Sequence, residues 1–235
     1  MSHRYAFALA FFLVMTCVAH ADFRIDYSVT RGRGDLGVLT LANGKLRAEP
    51  DRGSANFDTS SSAILDPVNA DLILLDRAQH RYTRFDGETL NQLSGLASLL
   101  GTQDPLQLKV RPSGAREQVA GHTCQVYRID LNNAHYADYC MADAAELGLS
   151  ASDITQLKRS VDMAHDLLGR IGGSFASGVF AGARLPVKLV SYRGGKVIGI
   201  SELKSVSTAK IAASEVAIPA GYREQPIDPS MFAPD

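Results

Sequence analysis

Short runs in which apolar and polar residues alternate recur along this chain, and tight-turn dipeptides separate many of them. Residues 23–30 alternate in this way, which is typical of a strand with one buried face. Asn43-Gly44 and Gly194-Gly195 each lie between two strand-like runs, and both dipeptides favour hairpin turns because they tolerate positive φ. The sequence therefore predicts an antiparallel sheet built mainly from consecutive hairpins.

Two further segments have a distinct composition. Residues 72–75 are apolar at every position, which predicts a strand that is covered on both faces. The tail from Val216 onwards is rich in proline and is predicted to lie extended over the surface.

Two helices interrupt the predicted strands. Leucines recur at helical spacing over residues 90–100, and a longer apolar stripe runs from Ile154 to Ile171. Ser150 and Asp153 have the spacing of a capping box at the start of the longer helix. Hairpins with two interposed helices predict an α+β fold, in which a strongly curved antiparallel β-sheet forms a half-barrel and helices cover its concave face.

The N-terminal segment has the form of a secretory signal peptide. Arg4 is followed by an uncharged apolar stretch at residues 5–15, and Ala19-His20-Ala21 places small residues where a signal peptidase cleaves. The apolar stretch is shorter than the roughly 20 residues that cross a bilayer, which argues against a retained membrane anchor.

A lipoprotein signal is the other alternative, with Cys17 as the modified residue, but Thr16 before it fits such a signal poorly. We therefore expect cleavage after Ala21 and a location in the periplasm. The mature chain is predicted to be one domain over residues 22–235, with a helical insertion near residues 150–171.

The charge of the chain is nearly balanced, with a formal net charge of −1 at pH 7. This balance gives no electrostatic case for binding nucleic acid or an anionic membrane surface. After the signal, no apolar run is long enough to span a bilayer, so the sequence predicts no transmembrane segment in the mature chain.

Cys124 and Cys140 are the cysteines that remain when Cys17 leaves with the signal. An even number of cysteines in an oxidising compartment predicts a structural disulfide between them. A pair of metal-binding or redox thiols is the alternative, but the spacing is not C-x-x-C and no histidine pair completes a zinc set.

Motifs that carry chemistry in other proteins have simpler explanations here. Residues 32–37 match G-x-G-x-x-G, but a nucleotide site needs a helix after the motif and a strand follows it here. The Gly- and Ser-rich residues 173–178 lack the G-x-S-x-G spacing of a nucleophile elbow. Asp66, Asp71 and Asp76 lie at the ends of predicted strands, where turn chemistry explains their carboxylates.

The histidines of the mature chain include no pair at helical metal-binding spacing. His80, His122, His135 and His165 are never three or four residues apart. His122 and His135 flank the predicted cystine hairpin, and a metal site formed by their convergence is the alternative to ordinary surface histidines. The sequence therefore predicts no catalytic residue, no metal ligand and no cofactor.

Six short segments, in their order along the chain, carry a family resemblance. The second contains Gly-Lys-hydrophobic-Arg, and the fourth contains Ala-Gly-x-x-Cys-x-x-Tyr. The six segments are residues 23–27, 41–47, 74–82, 119–127, 138–142 and 218–222. The chain resembles a bacterial family of uncharacterised periplasmic proteins that is similar to the outer-membrane lipoprotein carriers, the LolA/LolB-like superfold. The resemblance implies an apolar cavity that holds acyl chains, and it implies no catalytic residues. The helix near residues 150–171 is an insertion relative to the simplest carriers.

These observations lead to one functional prediction and two alternatives. We expect a non-enzymatic periplasmic protein that binds a lipid, acyl or other apolar ligand, or an envelope protein partner, in the concavity of its sheet. The predicted ligand contacts are Phe23, Ile25, Tyr27, Leu39, Leu41, Leu72 and Leu74. The alternatives are a structural or stress-related envelope protein with a filled core, and an enzyme of a class that the sequence does not reveal.

Overall fold

The computed structural model describes residues 22–32, 37–49, 61–89, 108–170 and 183–227. The predicted signal peptide with its cleavage site, the leucine-rich helix at residues 90–100 and the loop at residues 173–178 lie outside the described residues.

Twelve strands form one sheet in the described part of the chain. They are β1 (Phe23–Gly32), β2 (Val38–Ala42), β3 (Lys45–Glu49), β4 (Ser61–Asp66), β5 (Asp71–Asp76), β6 (Arg81–Phe85), β7 (Leu108–Val119), β8 (His122–Leu131), β9 (Ala134–Asp143), β10 (Arg184–Arg193), β11 (Lys196–Ser207) and β12 (Arg223–Glu224). The long helix α1 (Ala151–Arg170) and a short 3-10 helix (Ala213–Val216) accompany them.

The sheet is open, and its strand order is β12-β6-β5-β4-β3-β2-β1-β11-β10-β9-β8-β7. All neighbouring strands are antiparallel except β12, which runs parallel to β6. Hairpins therefore build each half of the sheet, and the pairing of β1 with β11 joins the two halves. This arrangement confirms the predicted antiparallel sheet.

The two turn dipeptides occupy the hairpins that the sequence predicts. Asn43 and Gly44 join β2 to β3 with φ of 48° and 73°. Gly194 and Gly195 join β10 to β11 with φ of 57° and 73°. Positive φ at both central residues lets the turn follow the right-handed twist of the strands.

β7 is one strand of 12 residues, and a register shift between Pro112 and Arg116 accommodates residues that do not suit a regular strand. The tail is more structured than the predicted extended segment. Val216 of the 3-10 helix is buried, and Arg223 donates its backbone N–H to the carbonyl of His80 at 3.0 Å.

The main apolar cluster lies against one face of the sheet and includes part of the helix. Leu157, Val161 and Ala164 of α1 are buried in the same cluster as Phe23 and Ile25 of β1. Their spacing along α1 places them on one side of the helix. This packing explains why the exposed residues of the helix are mostly polar.

A second, smaller cluster lies on the opposite face. Ile64, Ile73 and Leu75 are buried there, and Ile218 and Tyr222 of the C-terminal segment pack against them. Because successive residues of a strand point to opposite faces, Leu72 is buried on one face of β5 and Ile73 and Leu75 on the other. The predicted cover on both faces is therefore present except at Leu74, which is 37% exposed. No helix in the described ranges is long and apolar enough to cross a membrane.

The capping box at the start of α1 is also confirmed. The backbone N–H of Asp153 donates to Ser150 Oγ at 3.2 Å, and the backbone N–H of Ser150 donates to Asp153 Oδ2 at 2.6 Å. These two bonds satisfy amides that have no partner within the helix. Asp153 is buried, so the reciprocal bonds also provide the hydrogen-bond partners that its carboxylate needs.

The structure contains the predicted disulfide between Cys124 and Cys140. The two residues lie on the adjacent strands β8 and β9, with Cα atoms 5.3 Å apart, and both are buried in the main cluster. The bridge therefore ties together two neighbouring strands, as the sequence predicts.

Removing the disulfide with the double substitution Cys124→Ala and Cys140→Ala is expected to lower the free energy of unfolding. The bridge closes a loop between residues 16 positions apart, and opening a loop of this size costs roughly 3 kcal/mol through greater entropy of the unfolded chain. Urea unfolding followed by circular dichroism measures the difference. An unchanged unfolding midpoint in the double variant, or a wild-type midpoint that does not respond to reductant, would contradict this account.

Candidate functional site

One row of large apolar side chains crosses six neighbouring strands on the face that α1 contacts. Cross-strand pairing aligns its members directly from β1 to β6. All six side chains are buried, and they are Phe23, Leu41, Leu46, Leu65, Leu72 and Phe85. This row is continuous and closed to solvent.

The next row on the same face is not closed along its whole length. It aligns Ile25, Leu39, Ala48, Ala63, Leu74 and Thr83. Ile25 and Leu39 are buried, whereas Leu74 is 37% exposed. Ala48 and Ala63 are only partly buried against the main cluster. We call Ala48, Ala63 and Leu74 the open strip.

The structure brings the seven predicted ligand contacts into one region. Six of them are buried in the main cluster, and they are Phe23, Ile25, Tyr27, Leu39, Leu41 and Leu72. Leu74 is the exception, since it shares the face of Leu72 but remains partly exposed. The role of all seven residues as ligand contacts stays a prediction.

Tyr27 brings a polar atom into this apolar region and finds a partner for it. Its hydroxyl donates a hydrogen bond to the backbone carbonyl of Pro186 at 2.9 Å. Burial, and to a smaller extent the nearby Tyr139, raise the pKa of Tyr27. Tyr27 therefore stays neutral over the physiological pH range, and its hydroxyl links β1 to β10.

The turn between β4 and β5 fixes the position of the open strip. Asp66 is buried, and its Oδ1 accepts hydrogen bonds from the backbone N–H groups of Val68 and Asn69 at 3.1 and 3.3 Å. Lys45 of the neighbouring strand β3 lies with Nζ 2.8 Å from Asp66 Oδ2. One carboxylate thus holds the turn and connects it to a third strand.

Asp66 should make the free energy of unfolding depend on pH in the acidic range. Burial alone would raise the pKa of Asp66, but hydrogen bonds from Lys45 and Asn69 outweigh it, and the net pKa is lowered. A carboxyl group with a depressed pKa stabilises the folded state above its unfolded pKa of about 4, and this stabilisation is lost as the pH falls through the folded pKa. Asp66→Asn should therefore destabilise the chain at neutral pH, and its difference from the wild type should shrink below about pH 4.

Asp76→Asn is the matched control, because Asp76 Oδ1 also accepts a turn amide, from Gln79 at 2.9 Å, but no lysine pairs with it among the described contacts. Urea unfolding as a function of pH measures both variants. A destabilisation by Asp66→Asn that is the same at every pH would contradict the proposed electrostatic contribution.

A polar network occupies the strands at the other end of the sheet. Asp130 of β8 is buried, and both of its oxygens accept hydrogen bonds from guanidinium groups. Arg128 Nε donates to Oδ1 at 2.8 Å, and Arg111 Nη2 donates to Oδ2 at 2.7 Å. The hydrogen bond from Arg128, helped by the charges of both arginines, lowers the pKa of Asp130.

A second carboxylate on β9 continues this network. Asp138 Oδ1 lies 2.9 Å from His135 Nε2, and Asp138 Oδ2 accepts a hydrogen bond from the Tyr192 hydroxyl at 2.9 Å. The rings of His135 and Tyr192 stack with centroids 4.0 Å apart.

The proposed convergence of His122 and His135 is wrong. His122 pairs with Val119 at the start of β8, whereas His135 pairs with Asp130 near the other end of that strand. At the rise of an extended strand, these positions lie about 26 Å apart. Among the described residues, no three metal-ligating side chains lie close enough to hold an ion.

A groove of about 450 Å³ lies between α1 and the turn after β4. Most of the residues around it are charged or polar, among them Lys158, Arg159 and Asp162. Lys158 and Asp162 form an ion pair one helical turn apart. The groove is therefore an open stretch of the helix surface that charged side chains border.

Two features of the site were missed by sequence reasoning. Alanines are ordinary in strands, so Ala48 and Ala63 gave no signal until the register placed them side by side. The segment Arg128-Ile129-Asp130 did carry a signal, because it places a cation and an acid on one face of a strand. Arg24-Ile25-Asp26 repeats the same pattern in β1, where Arg24 Nε lies 3.1 Å from Asp26 Oδ1.

Comparisons with known proteins found distant structural similarity but no similar sequence. The sequence matches no protein-family model and no curated protein. An uncharacterized conserved protein from Thermus thermophilus aligns over 88% of this chain and 89% of its own, with 7% identity and a TM-score of 0.45. PNGF-II aligns over 90% of this chain and 32% of its own, with 12% identity and a TM-score of 0.46.

The MucA/MucB complex from Pseudomonas aeruginosa contains a third similar structure. It aligns over 83% of this chain and 55% of its own, with 13% identity and a TM-score of 0.29. The chain thus spans about a third of the length of PNGF-II and about half of the length of the third structure. Likenesses at these TM-scores carry no argument, so the functional reasoning below uses only the residues of this chain.

Proposed function

We propose that this chain is an exported, non-enzymatic protein of the LolA/LolB-like superfold that binds a lipid, acyl or other apolar ligand, or an apolar segment of an envelope protein partner. The binding surface is the apolar face of β1 to β6. The observation that carries the proposal is the open strip at Ala48, Ala63 and Leu74, which lies beside the fully buried row from Phe23 to Phe85.

The physical basis is a local difference in side-chain size. Ala48 and Ala63 on adjacent strands have smaller side chains than Leu65 and Leu72 of the closed row, and Leu74 beside them is partly exposed. Apolar surface left in water at this place favours an apolar occupant. Each CH₂ group of an acyl chain that is buried here contributes about 0.8 kcal/mol to binding.

The proposal includes the shape of the sheet around this surface. Register shifts interrupt the pairing of β1, β8 and β10, and such irregularities increase local twist and bend strands. The sheet then curves towards its apolar face as a half-barrel, and α1, which contributes Leu157 and Val161 to the cluster on that face, covers part of the concavity.

The disulfide supports the expected compartment. A bond between Cys124 and Cys140 forms and persists in oxidising spaces such as the periplasm. This agrees with the signal peptide that the sequence predicts, with cleavage after Ala21.

A filled-core envelope protein without a small ligand is the second candidate. The observation that favours it is the complete burial of the six remaining predicted contacts, such as Phe23 and Leu41, by protein atoms. In that case Leu74 would be an ordinary exposed leucine, and its substitution would change no binding.

Leu74→Asn should weaken the binding of a fluorescent acyl probe, such as a dansyl-labelled fatty acid, to the delipidated chain. A ligand can bury only the 37% of Leu74 that is exposed, which contributes about 0.6–1 kcal/mol, so the dissociation constant should rise by roughly three- to sixfold. Fluorescence titration measures this change.

Val68→Asn is the matched control, because Val68 is 72% exposed in the turn after β4 and belongs to neither apolar row. The control should bind the probe as the wild type does. Failure of the wild-type chain to bind the probe saturably would overturn the acyl-ligand proposal and favour the filled-core protein. Equal weakening by both substitutions would show that the open strip is not the site.

A further inference from the structure

Two guanidinium groups face each other across β7 and β8, near the end of β8 that carries Asp130. Arg111 and Arg128 are direct cross-strand partners. Like charges in this position repel each other and destabilise a sheet. Both groups bond to the same carboxylate, Asp130, and a single negative charge does not neutralise two positive ones.

The geometry leaves hydrogen-bond donors directed to solvent. Asp130 uses one oxygen to accept from Arg128 Nε and the other to accept from Arg111 Nη2. None of the contacts in the described part of the chain uses either Nη atom of Arg128 or the Nη1 atom of Arg111. The side chains of Arg128 and Arg111 are 41% and 62% exposed, so these donors are accessible.

The neighbouring charges strengthen the positive character of this place. Lys109 is aligned with Asp130 and is exposed, and its Nζ contacts the neutral side chain of Asn133. Asp138 is the other nearby acid, paired in register with Arg128. Both of its oxygens already accept hydrogen bonds from, or contact, His135 and Tyr192. Two arginines and one lysine thus lie around two carboxylates, and the oxygens of both carboxylates already have hydrogen-bond partners.

The same tripeptide on β1 shows that the carboxylate of such a segment does not need a second arginine as a hydrogen-bond donor. Arg24 pairs with Asp26 in an identical Arg-Ile-Asp segment, and Ser205 Oγ, a neutral group, contacts Asp26 Oδ2 at 3.1 Å. At Asp130, the donor to Oδ2 is instead the charged guanidinium of Arg111. The extra guanidinium therefore introduces repulsion that a neutral hydroxyl avoids in the equivalent strand pair.

We propose that Arg111 and Arg128, oriented by Asp130, form a binding site for a phosphate group, either as free phosphate or on a lipid headgroup. Two guanidinium groups presenting several N–H donors match the oxygens of a phosphate and form strong charge-assisted hydrogen bonds with it. The site lies on the same face of β8 as Val126 of the main cluster, with Ile129 on the opposite face. It is distinct from the open strip because five strands separate β8 from β3 in the sheet. The inference concerns a local cluster of charge, and the nearly neutral net charge of the whole chain does not bear on it.

Titration of the wild-type chain with inorganic phosphate, at constant ionic strength maintained with chloride, tests the site. NMR signals of the arginine Nε–H groups should shift saturably. Arg111→Gln should raise the dissociation constant roughly tenfold, because it removes one charge-assisted partner of the phosphate. Arg111 lies on the edge strand and is largely exposed, so this variant should fold normally. Arg128→Gln provides a second variant with the same expected loss.

Arg24→Gln is the control, because Arg24 sits in the same tripeptide with a similar exposure of 43%. It should bind phosphate as the wild type does. Sedimentation with phosphatidylglycerol vesicles distinguishes the two sources of the phosphate. Vesicle binding that Arg111→Gln abolishes identifies a lipid headgroup, whereas phosphate binding without vesicle binding identifies the free ion. Absence of saturable phosphate binding, or equal binding by the wild type and Arg111→Gln, would overturn the proposal.

Discussion

The cross-strand register of β1 to β6 is the constraint on which the rest of this structure depends. It aligns large apolar side chains from Phe23 to Phe85 into one closed row, and a slip by one residue would turn those side chains to the other face. The buried Asp66 helps to maintain this register, because it holds the turn between β4 and β5 while Lys45 ties that turn to β3. The same register sets Ala48 beside Ala63 and places both next to Leu74, which stays partly exposed.

The two ends of the sheet use different physical interactions. In the half from β1 to β6, burial on both faces dominates, with α1 on one side and the C-terminal segment on the other. In the half from β7 to β10, the carboxylates of Asp130 and Asp138 organise arginine, histidine and tyrosine side chains on a partly exposed face. The disulfide lies between β8 and β9 and strengthens this second half. An apolar site and a phosphate site can therefore occupy separate parts of one domain.

Sequence reasoning succeeded where the relevant interaction is local. The turns at Asn43-Gly44 and Gly194-Gly195, and the capping box at Ser150, depend on residues within a few positions of one another. The cystine was also predicted, because residue spacing and compartment sufficed.

The features that sequence reasoning missed depend on pairing between distant segments. Arg111 and Asp130 are 19 residues apart, and the Tyr82 hydroxyl bonds to Glu224 of β12 across a separation of 142 residues. No local pattern marks such partners, so neither the guanidinium pair nor the parallel edge strand was predicted. The open strip has the same origin, because an alanine becomes significant only when the register places a second alanine next to it.

A photoactivatable fatty acid, cross-linked to the purified chain and mapped by peptide mass spectrometry, tests the central claim most directly. The account predicts adducts on β3, β4 and β5, at or next to Ala48, Ala63 and Leu74. Adducts confined to the charged groove along α1, or no adducts above the level of the unfolded chain, would contradict it.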